Sequence, residues 1–132
     1  MPLSIVVPAY NESSIIEHTL TYHLADGVLN EADIIVVCNG CHDDTVKRTN
    51  EFILDNHALL EGRGLTLVVV ETEVASKTNA INLGIERAAD GDIILLDADI
   101  EVSGSALASL HHMLSETGKD LLAPSVVFDY QR

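Results

Sequence analysis

Five runs of aliphatic residues, each about the length of a strand, are spaced along this chain by stretches long enough to hold a helix. The runs are Leu3–Val7, Asp33–Val37, Leu65–Val70, Asp92–Leu96 and Leu121–Phe128. Spacers of this length do not suit tight hairpins; they suit parallel strands joined by crossover helices. The expected class is α/β: a three-layer Rossmann-like domain with a mainly parallel sheet of about five strands flanked by helices.

The spacers carry matching helical signals. Glu12–Leu24 places Ile16, Leu20 and Leu24 on one stripe, and Asp43–His57 turns Val46 and Ile53 inward, with Asp43 or Asp44 near its N-cap. Ser76–Ala89 has Ser76 as N-cap and Ile81, Ile85 and Ala88 on one face. Ser105–Glu116 ends before Gly118, and Pro124 marks the fifth strand as an edge or an irregular start. Glu61-Gly62-Arg63-Gly64 reads as a plain turn.

Composition narrows the class further. At 132 residues the chain makes one domain, and its 47% hydrophobic content is only 4% aromatic, as expected of strands covered on both faces. No apolar run approaches the roughly 20 residues that span a bilayer. Met1-Pro2-Leu3-Ser4 lacks the basic start of a signal peptide, so a cytoplasmic location is expected. Seven basic against twenty-one acidic residues give −14. That balance excludes nucleic acid or an anionic membrane as the main partner. It also means that a phosphate ligand would need a metal ion and local cations to offset the field.

In open α/β sheets ligands bind outside the carboxyl ends of the strands. Four consecutive ends are rich in hydrogen-bonding groups: Pro8-Ala9-Tyr10-Asn11-Glu12, Cys38-Asn39-Gly40-Cys41-His42-Asp43-Asp44, Glu71 leading to Ser76-Lys77, and Asp97-Ala98-Asp99. Any one of them alone would be a loop and a helix cap; together they point to a composite site. Asp97 and Asp99, two apart on an extended strand, would project to the same side. A desolvated acidic pair needs a cation, and Mg²⁺ is often held by one or two carboxylates plus substrate phosphates.

These segments resemble, in order, the motifs of family 2 glycosyltransferases of the GT-A fold. Ser4–Glu12 is similar to their opening, Asn39–Thr45 to their second loop, Ser76–Gly84 to their third segment, and Gly91–Asp99 to their aspartate motif. The resemblance implies a nucleotide-diphosphate sugar donor, a UDP- or GDP-sugar, and an inverting transfer to an unidentified acceptor. It implies nucleotide-sugar contacts from Pro8, Ala9, Tyr10, Glu12, Asn39, Lys77, Asp97 and Ala98. Asp99, with Asp97, would ligate Mg²⁺ or Mn²⁺. Asn82 and Gly84 would shape helix packing rather than touch ligand. Many relatives carry an acidic pair where this chain has Cys38-Asn39, which leaves the base open. The family's catalytic base and acceptor segments lie downstream of the aspartate motif, so residues 1–132 are read as a donor-binding domain lacking the acceptor half. Glu101 and Asp129 are the nearest carboxylates by position, and neither is assigned as base. An exposed sheet edge would allow self-association.

Other readings compete. A binding module that holds donor without completing transfer would show the same motifs. Cys38-Asn39-Gly40-Cys41 after a strand matches a thiol–disulfide redox motif, and with His42 a haem-attachment string; two reduced thiols in a loop is the simpler reading. No G-x-G-x-x-G follows the first strand and no P-loop occurs. His111 and His112 read as solvated helix surface.

Overall fold

The computed structural model describes residues 2–117. They form β1 (Leu3–Ala9), α1 (Ile16–Leu24), β2 (Ala32–Asn39), α2 (Thr45–Asp55), α3 (His57–Gly62), β3 (Thr66–Thr72), α4 (Lys77–Arg87), β4 (Asp92–Leu95) and α5 (Gly104–Thr117). The sheet has four strands in the order β3-β2-β1-β4, all parallel. The expected α/β class stands, with four strands among the described residues; the expected fifth, at 121–128, lies outside them.

The order of the strands positions everything that follows. The chain runs outward from β1 through β2 to β3, then returns across the sheet to place β4 on the other side of β1. Crossovers keep one hand, so a reversal of direction sends the connecting helix to the opposite face. Accordingly α1, α2, α3 and α5 pack over the face formed by Ile5, Val7, Ile34, Val36, Leu67 and Ile94. α4 covers Val6, Ile35 and Val37 on the other face. Three layers result, and the reversal leaves a crevice between the carboxyl ends of β1 and β4.

Pro8 shows how that crevice opens. Alternate residues of a parallel strand bond to alternate neighbours, and Val6 accepts from Leu96 N at 2.9 Å on the β4 side. Pro8 therefore faces the same side, beyond the last residue of β4, where no ladder bond is lost by its missing N–H.

Several elements differ from the sequence expectation for identifiable reasons. α1 starts at Ile16 rather than Glu12, because the Glu12 and Ser13 amides bond across to Thr45 Oγ1 (2.9 Å) and Asp43 Oδ2 (3.1 Å). The expected Asp43–His57 helix divides at Asn56, whose side-chain amide donates to Phe52 O at 2.9 Å and competes with the helical ladder. Glu61–Gly64 is more than a turn. Arg63 donates to Leu24 O (3.0 Å), Leu29 O (2.7 Å) and Asn30 Oδ1 (3.3 Å), pinning the α1–β2 connection to the end of α3. Ile85 is exposed rather than inward, and α4 meets the sheet through Ala80 and Gly84.

Gly84 sets the distance of α4 from the sheet. A Cβ there would lie 2.3 Å from Val6 Cγ1 and 3.3 Å from Val37 Cγ2. Gly84→Ala is therefore expected to destabilise the fold by about 1–3 kcal/mol, despite the better helix propensity of alanine, as read by a lower denaturation midpoint at unchanged slope.

Candidate functional site

At the β1–β4 crevice a cleft of about 240 Å³ is lined by Pro8, Tyr10, Glu12, Asn39, Lys77, Asp97, Ala98 and Asp99. These are the residues singled out from the sequence, with one exception. Ala9 is 1% exposed, packs in the core on the opposite face of β1 and does not line the cleft. Tyr10, 51% exposed, stands at the mouth with its ring free for stacking.

Asp97 and Asp99 share the cleft for a different reason from the one expected. The strand ends at Leu95, and Asp97–Ile100 form a turn closed by Ile100 N donating to Asp97 O at 3.2 Å. The turn, not strand alternation, brings the carboxylates together. Lys77 opens α4, where Ser76 caps the helix by accepting from Asn79 N at 3.2 Å. Its Nζ sits 2.6 Å from Asp97 Oδ1.

The far wall is built by stitching the β1–α1 and β2–α2 loops together. Asn39 Nδ2 and Cys41 Sγ both donate to Ala9 O, at 3.1 and 3.4 Å. Asn11 N donates to Cys41 Sγ (3.4 Å), and His42 N donates to Asn11 Oδ1 (2.8 Å). Asn11 adopts φ +52°, a conformation asparagine tolerates better than most residues. Gly40 turns the β2 end at φ +63°, where a Cβ would approach Ala75 Cβ to 2.7 Å. Sequence reasoning passed over Asn11, Ser13 and Thr45 as participants. The available signal was Asp43-x-Thr45 ahead of a helix, a pattern in which the acidic side chain bonds the backbone two residues on.

Asp43 anchors this seam. Its Oδ1 accepts from Thr45 N at 3.0 Å and from Thr45 Oγ1 at 2.5 Å. Desolvation would raise its carboxyl, but the hydrogen bonds from Thr45 and Ser13 outweigh it and hold the group down at about 2. A carboxyl depressed in the folded state adds stability above its ordinary 3.8, and that stability is lost as pH falls through about 2. Asp43→Ala is thus expected to lower the melting temperature at neutral pH, with the gap to wild type closing across that acid window in paired thermal melts.

Electrostatically the cleft is short of positive charge. Burial raises the Glu12 carboxyl, and Asp99, Asp43 and Asp97 raise it further. Lys77 is the cation lining the cleft among the described residues. Among those residues no three acidic, histidine or cysteine side chains converge to hold a metal ion by themselves. Two hard carboxylate oxygen donors in a negative field suit Mg²⁺ or Mn²⁺, provided a ligand's phosphates complete the shell.

The remaining candidates are placed as follows. Gly84 packs against the sheet, whereas Asn82 is exposed and contributes nothing to that packing. Cys38 and Cys41 are free thiols bordering a separate pocket of about 450 Å³. Cys38 points to the face away from the cleft. Its thiol is pushed up to about 12, first by burial and then by Cys41. A redox nucleophile needs the opposite shift, which counts against the thiol–disulfide reading. Glu101 pairs with His18 rather than entering the cleft, and Asp129 lies outside the described residues. His111 meets Asp92 at 3.3 Å and is partly buried, so only His112 fits the solvated surface expected of both. Among the described residues no helix is long and apolar enough to cross a membrane.

Comparison with known proteins gives a consistent result. The family model "Glycosyl transferase family 2" matches residues 4–132. The chain is 28% identical over 131 residues to the glycosyltransferase AglE of Haloferax volcanii, covering 97% of this chain and 40% of that protein. It is 33% identical over 110 residues to poly-beta-1,6-N-acetyl-D-glucosamine synthase of Staphylococcus aureus, covering 79% of this chain and 23% of that protein. It spans less than half the length of these relatives. The S. aureus TarS 1–349 structure with UDP superposes at a TM-score of 0.68, with 22% identity, over 88% of this chain and 32% of that one. The structure with UDP-GlcNAc superposes at 0.66, with 23% identity and the same coverage. At that identity the likeness concerns the fold.

Proposed function

Since this chain belongs to glycosyl transferase family 2, we propose that its cleft is the donor site of an inverting glycosyltransferase that uses a divalent metal. The carrying observation is the convergence of Tyr10, Asn39, Lys77, Asp97 and Asp99, from four separate strand ends, on one cleft. In this reading Tyr10 stacks on the base and Lys77 faces the diphosphate. Asp99 and Asp97 hold Mg²⁺ or Mn²⁺ together with the phosphate oxygens. When bound, the metal would stabilise the departing nucleoside diphosphate.

The orientation of Asn39 bears on the base. Its amide NH₂ donates one N–H to Ala9 O, and in this orientation Oδ1 is the acceptor it offers a ligand. An acceptor there suits a base with a ring N–H, uracil or guanine, over cytosine or adenine. That TarS is solved with UDP and with UDP-GlcNAc favours uridine. Calorimetry of UDP, GDP, CDP and ADP with Mn²⁺ tests this. UDP is expected to bind at least about tenfold more tightly than CDP, since an unpaired polar group costs roughly 1–3 kcal/mol. Asn39→Leu should remove that preference, and equal binding of UDP and CDP by the wild type would rule the assignment out.

The chemistry requires a carboxylate or another base to take the acceptor hydroxyl's proton. Glu12 and Asp97 border the donor, and no described group is assigned that role.

A further inference from the structure

α1 and the loop after it grip the segment that follows the Asp97–Asp99 turn. His18 Nε2 pairs with Glu101 Oε2 at 2.5 Å, His23 Nδ1 meets Val102 O at 2.6 Å, and Asp26 Oδ2 accepts from Ser105 N at 3.0 Å. The approach is close: a Cβ on Gly104 would stand 2.6 Å from Asp26 Oδ1 and 2.7 Å from His23 O. The aspartate turn is thus tied at both ends, by Leu96 N to Val6 O (2.9 Å) before it and by His23 to Val102 after it. Only residues 97–101 lie between the anchors, and the turn itself uses four of them.

We propose that His23, supported by His18 and Asp26, is a positioning residue that sets where the Asp97–Asp99 turn stands against Glu12 and Tyr10 in the cleft. α1 begins just after the loop that carries Tyr10 and Glu12, so a grip from this helix fixes one wall of the cleft relative to the other. The histidine is 1% exposed. Burial lowers its pKa and keeps the ring neutral, and a ring nitrogen facing a carbonyl oxygen must carry the proton. Its Nε2 has no hydrogen-bond partner among the described residues. A leucine would fill the space without that unpartnered nitrogen; what histidine adds is a donor aimed at Val102 O.

Resting on the donor-site reading for its consequence but not for its geometry, the proposal is tested first by hydrogen exchange of residues 97–103. His23→Leu is expected to speed exchange there by about tenfold or more, while β1 and β2 keep their protection. His23→Asn, whose Nδ2 replaces Nδ1 as donor, should recover protection to within about threefold of wild type. Unchanged exchange in His23→Leu, or an asparagine variant no better than leucine, would overturn the proposal. Should the His23 variants fail to fold, His18→Gln serves, because His18 is exposed. Its exchange in the same segment should rise by roughly threefold, and no change would be equally decisive against the grip.

Mn²⁺ binding in the presence of UDP, followed by the free-ion paramagnetic resonance signal, separates positioning from general support. His23→Leu should weaken it by about tenfold, as losses of outer partners of a metal site do, with metal-free UDP affinity within about twofold. A parallel fall of both would mean a merely structural role. A wild type that binds no Mn²⁺ would remove the metal from the donor-site reading, and the exchange result alone would then decide the positioning claim.

Discussion

Asp99→Ala is expected to remove the metal-dependent part of UDP binding, lowering affinity in Mn²⁺ on the order of 100-fold while leaving metal-free affinity within about twofold. The expectation follows from how few donors the cleft offers. No three metal-binding side chains converge among the described residues, so each carboxylate is a large share of the protein's contribution. Asp99 is exposed and Asp97 is tied to Lys77, which makes Asp99 the less encumbered donor. Removing it should leave the fold intact, because its backbone and not its carboxylate belongs to the Asp97–Ile100 turn. Calorimetry with and without Mn²⁺ reads both numbers. Binding that ignores both the metal and Asp99 would refute the metal assignment.

The second large effect concerns Lys77, whose substitution should push two affinities in opposite directions. Its ammonium pairs with Asp97 at 2.6 Å and so supplies there the positive charge that a divalent ion would also supply. Under the donor-site proposal, a metal held by Asp97 and Asp99 would compete with it and leave the ammonium available to the phosphates. Lys77→Met should therefore bind Mn²⁺ alone several-fold more tightly and bind UDP in Mn²⁺ roughly tenfold more weakly. Stability should change by under about 1 kcal/mol, since the pair is partly exposed. Titrations of Mn²⁺ alone and of UDP in Mn²⁺ make the comparison. If both affinities fall, Lys77 is no stand-in for the metal.

What the sequence revealed and what it concealed divide along physical lines. Strand–helix alternation and the polar strand ends are local patterns, and through them Tyr10, Glu12, Asn39, Lys77, Asp97 and Asp99 were legible as one site. The turn at Asp97–Ile100 was not, because its closing bond is between backbone groups that any residues carry. The seam between the two loops was also hidden. Asn11 with Cys41 and His42, and Ser13 with Asp43, meet across about thirty residues of chain. Ile85 followed helical periodicity and was wrong, since α4 approaches the sheet along Ala80 and Gly84, where a small side chain permits contact. His23 offered no sequence signal beyond a histidine on an apolar stripe.

The neighbours Cys38 and Asn39 end β2 on opposite faces, one over the buried core and the other lining the cleft. Side chains alternate strictly along a strand, so the chemistry that faces the cleft is set by parity as much as by residue type. A deletion of one residue ahead of Cys38 would leave Gly40 where the amide now stands and send the amide toward the core. Substitutions along this strand can therefore accumulate one at a time, whereas a one-residue change in its length turns every side chain beyond it to the other face.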